Sequence, residues 1–253
     1  MTSSKNHALC NGSETRARSR FLVIFISLSG LLVFPPATPS HAQENGQEPS
    51  PPAKQIGKSA TVKSAPTAAT TATNWQSLFD GKSLTGWKET DFAGRGGVKV
   101  ESGKMLLESG VMTGVTWTNK LPRMDYELSL DAMRVEGSDF FCGLTFPVGK
   151  DPCSFIVGGW GGGVVGLSSI DNEDAAHNET TQYMNFTNEK WFAIRIRVTK
   201  NKIEAWIDSD KVVNLETEGK KISIRAEMEL SQPLGIACWS TAAAVRNIRI
   251  RSL

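Results

Sequence analysis

The sequence predicts an all-β protein, an antiparallel β-sandwich of jelly-roll type, preceded by an export segment and a low-complexity linker. Three observations predict it. Apolar residues recur with period two rather than 3.6 over much of the C-terminal two-thirds of the chain. Turn-forming residues punctuate that pattern about every ten residues, as in sandwiches and barrels. No stretch carries the i, i+3, i+4 spacing of a long amphipathic helix, and no repeat recurs at a solenoid period.

Taken in order, the N-terminus reads first. Arg16, Arg18 and Arg20 precede the apolar run Phe21 to Phe34, and Ser40-His41-Ala42 follows. A basic region, a short apolar region and small residues at −3 and −1 are the parts of a secretory signal peptide over 1–42, cut after Ala42. The run falls short of the ~20 residues of a membrane helix, so no span is expected after cleavage. The expected location is periplasmic or secreted. Residues 43–73 are rich in Ala, Pro, Ser, Thr, Gln and Lys and nearly free of large apolar side chains. Such a segment cannot offset its ordering entropy by burial and is expected to be a disordered linker. The domain is expected over 74–253, long enough to bury one core.

Charge excludes one class of partner. The full chain has 28 basic and 26 acidic side chains, a formal +2. Loss of residues 1–42 leaves 24 against 25, a formal −1. That lacks the electrostatic footprint of a nucleic-acid binder. Three cysteines remain, Cys142, Cys153 and Cys238. Export permits disulfides, but the odd count leaves one unpaired, and a hairpin turn between Phe146 and Pro152 would keep Cys142 from facing Cys153. Buried free thiols are expected. Composition says nothing about oligomeric state.

Within the domain, Tyr126, Leu128 and Leu130 alternate with polar partners in Asp125 to Met133. Phe192, Ile194, Ile196 and Val198 share one face of the next such segment, Trp191 to Thr199, and Arg195 and Arg197 the other. Ile203, Ala205 and Ile207 continue the pattern, and NIRIRSL closes the chain with it. Strict alternation marks antiparallel strands with one face on a core. Turns are expected at Asp80-Gly81, Ser102-Gly103, Glu136-Gly137, Pro147 to Pro152, Thr199 to Asn201 and Ser209-Asp210.

The most unusual stretch is GGWGGGVVGLSSIDNEDAAHNE, Gly158 to Glu179. Gly161, Gly163 and Gly166 match the dinucleotide pattern literally, but a helix must follow those glycines to meet the pyrophosphate, and strand and turn residues follow instead. Asp171, Glu173 and Asp174 offer oxygens to calcium without the spacing or tight glycine turn of a calcium loop, so no cofactor is singled out. After removal of the signal peptide only His177 is left, which excludes a multi-histidine zinc site within the chain. There is no G-x-S-x-G elbow.

Seven tryptophans remain, at 75, 87, 117, 160, 191, 206 and 239. Trp75, Trp87 and Trp191 read as core or edge fillers. Trp160 sits among glycines, with nothing local to pack around it, and is expected to line a binding face. Trp239 is out of phase with Ile236 and Cys238 and is expected on the opposite face of its strand. An indole face suits the C–H face of a pyranose ring, so a carbohydrate is the expected ligand.

FDGKSLTGW (Phe79 to Trp87) is followed by VKVESGKMLLES, DYELSLDAMR, EKWFAIRIRV, KIEAWIDSDKVV and VRNIRIRSL. In that order these segments resemble the 3-keto-disaccharide hydrolase domain family, and the resemblance spans 74–253. It implies a concanavalin/laminin-G-like sandwich and cleavage of a 3-keto-glycoside. A ketone at C3 acidifies the C2 proton; a base removes it, the enolate expels the glycosidic oxygen from C1, and water adds back. In that scheme Asp171 or Glu173 is the expected base, His177 the acid, and Arg195 or Arg197 the group that stabilises the enolate. Asp174 is expected over the rim of the same site. Asp139 falls near an Asn of the family and Trp160 near an Asp, while Cys153 to Trp160 holds no carboxylate at all. That gap points to the competing expectation, a non-catalytic carbohydrate-binding or adhesive envelope module of the same fold.

Overall fold

The structure is a computed structural model and describes residues 74–253. The signal-peptide and linker readings, 1–42 and 43–73, lie outside the described residues. Within them the chain forms fifteen strands in two antiparallel sheets packed as a sandwich.

One sheet runs in the order β13 (Asp210–Glu216), β12 (Lys202–Ile207), β11 (Trp191–Thr199), β6 (Tyr126–Gly137), β15 (Thr241–Ser252), β4 (Lys104–Leu107) and β3 (Val98–Glu101), with β1 (Gln76–Ser77) also on β15. The alternating segments are all here. Tyr126, Leu128, Leu130, Ile194, Ile196, Val198, Ile203 and Ala205 are all within 1 % of full burial. Burial also leaves Tyr126 a polar end to satisfy, and its hydroxyl donates to the Pro147 carbonyl at 2.7 Å; an orphaned group there would cost about 1–3 kcal/mol. Most expected turns fall where the sequence puts them, among them Ser102-Gly103 between β3 and β4. Glu136-Gly137 is the exception, because β6 runs on through Gly137 to pair with Thr241 and the chain turns only afterwards.

The other sheet runs β10 (Gln182–Tyr183), β9 (Val164–Ser168), β8 (Asp151–Gly159), β7 (Cys142–Val148), β14 (Gly235–Trp239), β5 (Met112–Trp117) and β2 (Trp87–Glu89). Its central strands are buried on both faces. One face meets the main core through Leu144, Phe155, Leu167 and Ile236. The other is covered by chain outside the sheet. There Phe92 and Met228 pack on Met112 and Ala237, and Ala175 packs on Ile156 and Val164. Small strand residues let this cover come close. A Cβ on Gly166 would lie 2.9 Å from the Ala175 carbonyl oxygen. A short 3-10 helix, Ala226–Ser231, belongs to the cover, in the connection before β14.

Cys142, Cys153 and Cys238 are buried and free. Cys142 pairs across the ladder with Val157, and Cys153 with Phe146, so register separates them. Burial pushes the Cys153 and Cys238 thiols up to about 12 and raises Cys142 as well. Trp87 is a core residue, with its Nε1 donating to the Leu78 carbonyl. Trp75 and Trp191 lie at the surface of the first sheet under arginines, with Arg246 4.0 Å above the Trp191 ring.

Candidate functional site

The covered face of the second sheet is not sealed. A cavity of about 270 Å³ opens between the sheet and its cover. Its floor is Ile156 on β8 and Ser168 at the end of β9, and Met112 and Met228 close one side. The walls are aromatic: Trp160, Phe140 and Trp239, the last two 6.5 Å apart between ring centroids. The charged groups are Asp139, Arg225 and Glu227.

Gly158 to Gly166 forms the end of β8, a turn and the start of β9, and no helix follows it. Trp160 sits in that turn with φ +49°, a left-handed conformation that bulky residues rarely take. It is 43 % exposed, high for a side chain of its size, and its ring borders the cavity. Asp139 lies in the connection from β6 to β7. Its carboxylate accepts from the Phe140 amide at 2.7 Å and the Gly161 amide at 3.2 Å. The second bond ties Asp139 to the Trp160 turn, so acid and indole are positioned together. Trp239 ends β14 and packs with Ala237 on the outer side, while Ile236 and Cys238 face the main core.

Arg225 and Glu227 flank the entrance to the 3-10 helix. Arg225 Nη2 donates to Glu227 Oε1 at 2.9 Å and Nε to Oε2 at 3.3 Å. Arg225 holds the Glu227 carboxyl below its ordinary pKa, chiefly through those bonds, and is itself pushed up by them. Arg225 Nη1 donates to Asp174 Oδ2 at 3.0 Å, and Asp174 Oδ1 meets His177 Nδ1 at 2.7 Å. The Ser168 hydroxyl is buried and has no hydrogen-bond partner among the described residues, although it borders the cavity. A buried hydroxyl without a partner invites one from a ligand or a water.

Of the residues singled out in the sequence, the fold brings Asp139, Trp160 and Trp239 to one cavity. Asp174 reaches it only through Arg225. Asp171, Glu173 and His177 do not border it. Asp171 is exposed and accepts from the Lys221 amide at 2.9 Å and from Lys220 Nζ at 3.2 Å. Those bonds lower its pKa, which makes it a weaker base. Glu173 is exposed on the turn that bridges back to Ile170. Among the described residues no three His, Cys, Asp or Glu side chains converge as metal ligands would.

Arg195 and Arg197, expected beside the substrate, do not border this cavity. Strand β11 belongs to the first sheet, and period two turns both guanidiniums to the outside of the sandwich. Arg195 stacks on Trp206 at 3.7 Å and donates to Glu127 at 3.2 Å; Arg197 Nε lies 3.9 Å from Glu127. Glu127 is 2 % exposed, and a carboxylate so buried needs cations around it. Arg225, Glu227 and Ser168 were missed. For Arg225 and Glu227 the signal available was the stretch 217–234, a long connection with neither period, and such connections often carry function; Ser168, at the end of β9, gave no such signal.

These features define an antiparallel β-sandwich with an aromatic and carboxylate-lined cavity on the outer face of one sheet. The particular family follows from the sequence. Residues 74–251 match the 3-keto-alpha-glucoside-1,2-lyase-like domain, and the chain belongs to that family. No curated protein matches it. Among solved structures, the Crh5 transglycosylase in complex with NAG is 14 % identical with a TM-score of 0.50, over 70 % of this chain and 83 % of that one. Carbohydrate binding module CBM66 from Bacillus subtilis is 13 % identical with a TM-score of 0.44, over 66 % and 96 %. A glycosyl hydrolase family protein from Mycobacterium fortuitum is 9 % identical with a TM-score of 0.44, over 70 % and 97 %. At these identities the likeness is one of fold. Among the described residues no helix is long and apolar enough to cross a membrane.

Proposed function

We propose that the chain is an exported enzyme that binds a carbohydrate in this cavity and cleaves 3-keto-glycosides by elimination followed by hydration. The observation that carries the reading is that one cavity holds two carboxylates, Asp139 and Glu227, a guanidinium, Arg225, and two indoles, Trp160 and Trp239. The indoles take the C–H faces of the sugar ring. Asp139 is the base. Its orientation is fixed by two backbone amides, and it is not consumed in an ion pair. Glu227 is bound to Arg225 and serves to orient it.

The steps balance on those groups. Asp139 takes the C2 proton of the 3-keto sugar, and Arg225 stabilises the negative charge that develops on the C3 oxygen. The enolate collapses to a C1=C2 double bond as the C1–O bond breaks, and the departing oxygen takes the proton back from Asp139. Water then adds its oxygen to C1 and its proton returns to C2, giving the free 3-keto sugar. The Ser168 hydroxyl is a partner for a ring hydroxyl at the floor.

A specific observation favours a second reading, a binding module without turnover: β8 presents Ile156 to the cavity and carries no carboxylate from Cys153 to Gly159. One experiment separates the two. The protein is incubated with a 3-keto-glucoside in D₂O. Release of the aglycone with deuterium at C2 is the expected result. Binding with neither release nor exchange would overturn the enzyme reading and leave the module.

A further inference from the structure

The glycine turn also borders a second cavity, of about 390 Å³, whose lining does not include Trp160. It is bordered by Gly161, Gly162 and Gly163, by Ser138, and by Asn185 and Thr187 in the loop before β11. Arg134 of β6 also reaches it. This arginine is 6 % exposed. Its Nε donates to Asn188 Oδ1 at 2.7 Å, Nη2 to the Phe186 carbonyl at 2.5 Å and Nη1 to the Asp139 carbonyl at 3.4 Å. All three acceptors are neutral. Among the described residues no carboxylate lies within ion-pair distance of it, whereas Glu127, the buried acid on the other face, meets arginines directly.

A buried cation with no carboxylate in direct contact is expensive. The cost shows in Arg134 itself, whose pKa burial pushes down, with the charge of nearby Asp139 acting the other way. Five N–H groups are available on a guanidinium and three are used, which leaves one donor on each of Nη1 and Nη2. Gly162 keeps that end uncovered: a Cβ there would stand 3.0 Å from Arg134 Nη1, and φ at Gly162 is +113°, where side chains are strained. Met184 and Phe186 supply the apolar part of the lining, and the exposed Asn185 and Thr187 are placed to meet hydroxyl groups.

We infer that this cavity is a second saccharide subsite, specific for an acidic sugar whose carboxylate pairs with Arg134. The sugar half of this inference rests on the carbohydrate reading of the neighbouring cavity; the anion half rests on Arg134 alone. The two free N–H groups meet a carboxylate as a fork, and the unpaired charge is then neutralised. The glycine turn is shared between the two cavities: Trp160 borders the first and Gly161, hydrogen-bonded to Asp139, borders the second.

The test is calorimetric titration of the full chain with glucuronate, glucose and acetate. Glucuronate is expected to bind at least about tenfold tighter than either of the others, the scale of one charge-assisted pair. Arg134→Gln is expected to abolish that preference. Because Arg134 also holds the Phe186 loop, Asn185→Ala and Thr187→Val, both at exposed positions, serve as second variants and are expected to weaken glucuronate without lowering the melting temperature. Trp160→Ala should leave glucuronate affinity unchanged while weakening ligands of the first cavity, so failure of one site is told from failure of the other. Equal affinity for glucuronate and glucose would overturn the inference. So would loss of glucuronate binding in Trp160→Ala with retention in Asn185→Ala. Acetate binding as tightly as glucuronate would overturn the assignment to an acidic sugar.

Discussion

Arg225 Nη1 donates to Asp174 Oδ2 at 3.0 Å, across 51 positions of sequence. That bond joins the acidic loop after β9 to the connection before β14. On its other edge the same guanidinium holds Glu227, so one arginine ties two pieces of the cover together at the mouth of the cavity. The acidic loop therefore supports the site through Asp174, while its remaining acids face solvent and lysines.

Asp139→Asn is expected to lower turnover of a 3-keto-glucoside by about 10²–10⁴, the scale of losing a general base. Sugar binding is expected to survive, since the amide keeps size and one acceptor. Steady-state kinetics checks this: kcat should fall with KM little changed, and C2 deuterium exchange should fall with kcat. Wild-type exchange in this variant would place the base elsewhere.

Asp171→Asn and Glu173→Gln are expected to leave turnover within about twofold of the wild type, because surface substitutions away from a site rarely propagate. Neither side chain borders the cavity. A hundredfold loss in either would return the chemistry to the acidic loop.

Arg225→Met tests the pH dependence. Glu227 has a folded pKa below its ordinary 4.5, first because of its hydrogen bonds from Arg225. A depressed carboxyl stabilises the fold fully above the unfolded value and loses that contribution as pH falls through the folded one. Without Arg225 the depression is relieved. The variant is expected to be less stable than the wild type above the ordinary carboxyl pKa, and the acidic limb of its stability profile, followed by thermal melts from pH 3 to 6, is expected to be shallower, the two proteins converging as pH falls. A limb of unchanged slope would mean that Glu227 is not governed by Arg225.

Trp160→Ala and Trp87→Ala are expected to separate binding from folding. Trp160 is half-exposed at the cavity, so its removal should weaken glycan binding and change the melting temperature little. Trp87 is 6 % exposed, edge-on to Trp117 at 5.2 Å, and its loss should cost about 3–5 kcal/mol by denaturant unfolding. A large destabilisation from Trp160→Ala would make that residue structural.

Cys142, Cys153 and Cys238 are expected to resist a thiol reagent at pH 8 in the native protein, since burial raises all three pKa values and the thiolate is the reactive form. Labelling followed by peptide mapping should find them modified only after denaturation. Rapid native labelling of any of the three would show that its side of the core opens.

The sequence by itself determined the first sheet. Period two in Tyr126 to Leu130, Phe192 to Val198 and Ile203 to Ile207 is the direct imprint of strands with one face on a core and one in water, and the structure buries those residues. The second sheet left no such imprint. Its strands read as continuous apolar or glycine-rich runs because loops cover the face that would otherwise be polar. The cavity lies under that cover, so its residues were legible only where one was locally out of place: Trp160 among glycines and Trp239 out of phase with its strand. Type and proximity in sequence favoured Asp171, Glu173 and His177, and period two gave the faces of Arg195 and Arg197 but not the sheet to which those faces belong. Only tertiary structure decided that Arg225 and Glu227 stand beside Asp139. Side chains far apart in sequence meet where strands pair and loops fold over them, and neither pairing nor folding over has a local period to read.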